Sequence, residues 1–156
     1  MIEKEYLAVR VASSNDAQLV SIVYEGLIDS LNESIEHIKD GEIQKLNLSV
    51  DKCRDIIAEL IATLSGDSEI AMNYKSLYIY LNSLITEAHI KKDTQKFEEA
   101  KKIVTPLHEG WSELGEKLFQ ESVEKGNGTA VVSGMTYGKG YVNDQVSRSE
   151  IRWEKG

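Results

Sequence analysis

Three histidines, one cysteine and 26 carboxylates are the side chains through which this 156-residue chain could do chemistry. Helical di-iron proteins hold their metals with Glu-x-x-His pairs. The residues three positions before His37, His89 and His108 are Ser34, Thr86 and Thr105, so that ligand pair is never set up. His37-Ile38-Lys39-Asp40-Gly41 approaches the His-x-x-Lys-Gly pattern of histidine phosphotransfer, but its lysine comes one residue early. On a helix that turns the lysine roughly 100° away from the imidazole. A histidine favoured by the negative end of a helix dipole is the simpler reading. Cys53 stands alone, which rules out an internal disulfide and a thiolate metal cage. Between Val50 and Ile57 it reads as a small buried hydrophobe. Gly138-Lys139-Gly140 lacks the rest of a phosphate loop and reads as a turn. The carboxylates are numerous enough to face one another by chance on solvated helix surfaces. The sequence therefore nominates no catalytic residue, no metal ligand and no cofactor-binding residue.

The elements carrying these residues are long and helical. Val20, Val23, Leu27, Leu31, Ile35 and Ile38 form one apolar stripe, predicting a first helix over residues 16–40. Asn15 suits its N-cap, Gln18 the capping-box position and Gly41 its stop. Leu46, Val50, Cys53, Ile57, Leu60 and Leu64 predict a second helix over 42–65, broken by Gly66 and Asp67. A third, over 68–90, carries Ile70, Tyr74, Leu77, Leu81, Leu84 and Ala88. A fourth, over 93–125, carries Phe97, Ala100, Val104, Leu107, Trp111, Leu114 and Leu118, with the chain's single proline, Pro106, inside it as a kink. Helices this long joined by two or three residues must fold back on their neighbours. The expected fold is all-α: an antiparallel up-down four-helix bundle over residues 1–125, with a short N-terminal arm (1–14) and a non-helical, glycine-rich C-terminal tail (126–156).

Charge narrows the partners. The net charge is −8; the tail, with four basic and three acidic residues, holds +1 of it, leaving −9 for residues 1–125. With that charge and no five-residue window dominated by Lys and Arg, the sequence argues against nucleic acid or an anionic membrane as the main partner. No apolar stretch approaches a membrane span, and the N-terminal residues lack a signal-peptide core, so a cytoplasmic location is expected. What stands out is apolar surplus. On the third helix Ala71, Tyr78 and Ile85 flank the main stripe on one side, Tyr80 on the other, and Met72 and Ile79 lie behind. A four-helix bundle cannot cover one helix on every side, so part of this surface should meet the arm, the tail or another chain. Val131, Val132, Met135, Tyr137, Tyr141 and Val142 make the tail too apolar for a plain linker. An extended strip or hairpin over 131–142, resting on the surplus surface and competing with its partner, is expected.

Several stretches occur together in a familiar order. Val11-Ala12-Ser13-Ser14-Asn15-Asp16-Ala17-Gln18-Leu19 followed by Val23-Tyr24-Glu25-Gly26 resembles the opening of the flagellar export chaperone (FliS) family, Val-x-Thr-Ala-Ser-Pro-x-x-Leu and then Leu-Tyr-Asp-Gly. Asp55-Ile56-Ile57-Ala58-Glu59-Leu60, Glu69-Ile70-Ala71, Leu77-Tyr78-x-Tyr80, Glu87-Ala88-His89-Ile90-Lys91-Lys92-Asp93 and Trp111 are similar to its later segments. The resemblance spans about residues 6–120. Asn15-Asp16 departs from Ser-Pro while keeping the cap, Glu25 stands for Asp, and His89 for Asn.

The resemblance implies a chaperone without enzymatic activity that binds the disordered C-terminal segment of flagellin, prevents its premature polymerisation and hands it to the flagellar export apparatus. Grooves between helices would receive amphipathic helical stretches of the client. It further implies that Tyr6 lies over the empty groove. Tyr6, Leu7, Tyr78, Ile79, Asn82 and Ile85 are the expected client-binding residues. The alternatives are another helical interaction adaptor, of a secretion or anti-sigma-like kind, and a phosphotransfer bundle.

Overall fold

In the computed structural model, which describes residues 4–125, every regular element is a helix. They are α1 (Lys4–Ser13), α2 (Asp16–Lys39), α3 (Ile43–Ala62), α4 (Glu69–Lys91) and α5 (Thr94–Lys125). The four long helices lie where the apolar stripes put them, to within three residues at either end. The arm differs: it is a helix of its own. Leu7 and Val11, one turn apart on one side of α1, are both buried, and burying that pair is what gives so short a helix its stability. The tail, residues 126–156, lies outside the described residues.

The ends are set by local chemistry. Asn15 Oδ1 accepts from the Gln18 backbone N–H at 2.9 Å, while the Asn15 N–H donates to Gln18 Oε1 at 3.0 Å. That reciprocal capping box satisfies two amides that α2 would otherwise leave unpaired. Gly41, at φ +69°, ends α2 with the Glu42 N–H donating to the His37 carbonyl and its own to Ile38. At the end of α4 the same motif is built on Lys92, at φ 51°, with the Asp93 N–H donating to Ala88. Ser68 caps α4 by accepting from the Ala71 N–H.

Packing runs α2 against α3 and α5, and α4 against α3 and α5. Between α2 and α3, Ser34 bonds Ser49 at 2.8 Å and Glu33 pairs with Lys52 at 3.6 Å. Between α2 and α5, Asn15 donates to the Gly115 carbonyl at 2.9 Å, Ser21 meets Ser112, and Lys101 donates to Asn32 at 2.9 Å. Between α3 and α4, Arg54 donates to Thr86 at 3.0 Å, and His89 Nε2 lies 2.7 Å from Asn47 Oδ1. Across the interior, the hydroxyls of Tyr24 on α2 and Tyr78 on α4 hydrogen-bond.

One position of the α5 stripe is corrected. Leu114 is exposed, and Gly115 takes its place at the interface. A Cβ on Gly115 would come 2.6 Å from Gln18 Cγ, so α5 meets the start of α2 at a separation only glycine permits. Pro106 lies inside α5, which continues through it.

Candidate functional site

The chemistry-bearing residues are placed as structural parts. Cys53 is buried, and that burial pushes its thiol up to about 12, leaving it protonated and unreactive. Among the described residues, no three His, Cys, Asp or Glu side chains converge where they could hold a metal ion. The His37 carbonyl closes α2, and His89 bridges α4 to α3. Burial first, then the nearby Arg54 and Lys92, hold the His89 imidazole below its ordinary pKa. No helix of the described residues is long and apolar enough to cross a membrane.

The six residues singled out for binding are not brought together. Tyr78 and Ile85 have no exposed surface at all, which corrects the expectation that they lie partly on the outside. Both belong to the core cluster, and the Tyr78 hydroxyl reaches across it to Tyr24 of α2. Fully burying a side chain of this size stabilises a fold by about 1.5–3 kcal/mol, so their first duty is to the core. Leu7 is likewise interior. Tyr6 is 59% exposed, and its ring lies 5.7 Å from the Arg10 guanidinium, which in turn pairs with Glu25 of α2 at 2.9 Å. The arm is thus tied to α2 by Arg10, with Leu7 and Val11 in the core and Tyr6 outermost. Ile79 and Asn82 are on the surface of α4.

Among the described residues, two accessible surfaces stand out. The first is apolar. Met72, Ile79 and Ile90 are spaced seven and eleven residues apart, which puts them on one line along the outside of α4, all of them exposed. Tyr80, also exposed, lies toward α5. Beside it a cavity of about 270 Å³ opens between α4 and α5, lined by Tyr74, Pro106, Leu107, Gly110, Trp111 and Leu114. Gly110 has no neighbour within 4 Å of where a Cβ would be, which leaves the rim of that groove open. Tyr74 connects the groove to the interior, its ring centroid 5.9 Å from that of Tyr78. The sequence reading missed the groove because Tyr74, Leu107, Trp111 and Leu114 had all been assigned to core stripes. A glycine, Gly110, one turn after Pro106 is the signal the sequence offers.

The second surface is polar, a cavity of about 460 Å³ between α1, α2 and α5. Arg10, Ser13 and Ser14 come from the arm and its end, Gln18, Ser21 and Ile22 from α2, and Ser112, Glu116 and Phe119 from α5. Neither surface assembles a nucleophile with a base or an oxyanion donor. Both offer shape, apolar area and hydrogen-bonding groups.

The family model described as "Flagellar protein FliS" matches residues 2–118. The flagellar secretion chaperone FliS of Bacillus subtilis is 26% identical over 115 residues, covering 72% of this chain and 86% of the relative. That of Salmonella typhimurium is 28% identical over 116 residues, with 72% and 86% covered. That of Escherichia coli is 26% identical over 118 residues, with 72% and 87% covered.

Proposed function

From the chain's membership of the FliS family of flagellar proteins, we propose that it is a cytoplasmic secretion chaperone that binds the C-terminal segment of flagellin, keeps it from polymerising, and presents it to the export apparatus without catalysing a reaction. The helices α2 to α5 serve as an antiparallel up-down four-helix bundle. The order of the bonds supports this arrangement, because partners of rising number on one helix have falling number on the next, as in Asn15–Gly115, Ser21–Ser112 and Asn32–Lys101.

The observation that carries the proposal is the apolar surface of α4 beside the α4–α5 groove. An amphipathic client helix would lay anchors at i, i+3, i+4 and i+7 on such a surface. Ile79 and Asn82 meet the client directly. Tyr78 and Ile85 hold α4 in place from within, and Tyr6 and Leu7 act through the arm. A client that is disordered when free loses conformational entropy on binding, and that loss keeps affinity low enough for release.

Titration with a synthetic flagellin C-terminal peptide tests this. Ile79→Glu should weaken binding at least tenfold with little change in the melting temperature, because Ile79 is already exposed. Tyr78→Glu should instead unfold the protein, as a buried unpaired charge does. An Ile79→Glu protein that binds the peptide as tightly as the parent would place the client elsewhere, and a parent protein that does not bind it would refute the reading.

A further inference from the structure

Arg54 of α3 is half-buried, and its bonding is incomplete. One Nη donates to the Thr86 hydroxyl of α4 at 3.0 Å, while Nε is buried with no hydrogen-bond partner. Among the described residues no carboxylate pairs with it, although Arg10 has Glu25 and the buried Lys52 has Glu33. Residues 1–125 carry a net charge of −9, so counter-charge is plentiful in the chain and is withheld here. A partly covered guanidinium left in that condition costs the fold stability and calls for a reason.

Its position supplies one. Thr86 Oγ1 donates to the Asn82 carbonyl at 2.8 Å, which commits its hydrogen and turns a lone pair toward Arg54. Thr86 is seven residues after Ile79 and four before Ile90, so it falls on the same outer line of α4 as those exposed isoleucines. Along the axis it stands about 10 Å from Ile79 and about 6 Å from Ile90. The guanidinium is therefore held beside an apolar line, at a break in it. The positive field there is wider than one residue, because Arg54 and Lys92 both act on His89.

We propose that Arg54 binds a carboxylate of the client, so that the α4 surface selects an acidic group set between apolar anchors. This rests on the reading of that surface as the flagellin site. The guanidinium offers a planar fork of N–H donors that matches the two oxygens of a carboxylate, approached from its Nη edge since Nε is covered. Thr86 already fixes the fork, which leaves less side-chain freedom to lose on binding. Apolar contact at Ile79 and Ile90 excludes water on either side and strengthens the pair. A client helix running along α4 has the same rise per residue, so its acid lies about seven positions from one apolar anchor and about four from the other. A segment with an amide or a lysine there would cover the guanidinium without neutralising it, and is disfavoured.

Titration of the parent and Arg54→Gln proteins with the flagellin C-terminal peptide tests this. The peptide's acidic side chains are changed one at a time to amides, and a further version carries an amidated C-terminus. One of these versions should bind the parent at least about fivefold more weakly than the unaltered peptide, and that difference should vanish on Arg54→Gln. A second measurement needs no protein variant and so does not depend on Arg54→Gln folding. Proton NMR of the parent should give His89 a higher pKa with the unaltered peptide than with the discriminating amide version, because a new negative charge has joined Arg54, Asp51 and Lys92 around it. A parent that binds every version alike, a difference that persists undiminished on Arg54→Gln, or a His89 pKa equal with both peptides would each overturn the role of Arg54. A parent that binds none of the peptides would instead refute the client reading beneath it.

Discussion

A methyl group on residue 115 would stand 2.6 Å from Gln18 Cγ and 3.1 Å from the Gln18 backbone nitrogen, the same nitrogen that the Asn15 side chain caps. Gly115→Ala should therefore destabilise the protein by about 1–3 kcal/mol through overpacking and a strained cap. Gly110→Ala, with nothing within 4 Å, should be neutral or stabilise by up to about 1 kcal/mol through better helix propensity. Chemical denaturation of the two variants checks both, and equal effects would contradict the close contact. Asp29 is a subtler case. Burial, then the charge of Glu25 one turn away, raises its pKa. The fold thus prefers the protonated acid, and the stability tied to that preference is present below the ordinary value of 3.8 and lost as pH rises through the folded one. Asp29→Asn should raise the melting temperature at pH 7 by the equivalent of less than about 1 kcal/mol, with no gain left near pH 3. At this scale the sequence was only partly legible. Cys53 and the Asn15–Gln18 cap could be read because each depends on near neighbours in the chain. Tyr78 and Ile85 could not, because which flank of α4 is covered depends on where the other helices lie. Gly115 was invisible because its reason, Gln18, is 97 residues away.

Among the elements, the helix ends offer the sharpest tests. Lys92 ends α4 in the left-handed region, where a side chain is strained, and glycine removes that cost. Lys92→Gly should stabilise by about 0.5–1 kcal/mol, a gain measurable by thermal melting, whereas Gly41→Ala at φ +69° should lose a similar amount. The α3–α4 seam should respond to acid. The folded His89 pKa is lowered, so the fold prefers neutral imidazole; that stability is held above the ordinary 6.5 and lost as pH falls through the folded value. Melting between pH 7.5 and about 5 should show a decline that His89→Gln makes shallower, and an unchanged slope would remove His89 from the account. Apolar periodicity located all four long helices, since a stripe three or four residues apart is a local property. It missed that α1 is helical, because two buried residues, Leu7 and Val11, make too short a period to recognise. It also overran at Leu114, where the interface follows Gly115 instead.

For the molecule as a whole, the joint between residues 15 and 115 has a consequence in time. The amides at the start of α2 are capped by Asn15, and Asn15 is steadied by a carbonyl of α5 that lies 100 positions later. At about 5–20 residues per second, a ribosome delivers Gly115 roughly 5–20 s after Asn15. Through that interval α2, the helix with the longest list of buried residues, has α3 beside it but no α5. Between the synthesis of residues 15 and 115 a nascent chain therefore has the inner face of α2 open on one side, and only a chain that has reached α5 can close it. Truncated products ending before α5 would expose that face permanently and would be the first to aggregate or to be degraded. The fold thus makes translation through α5 a condition of covering its own core.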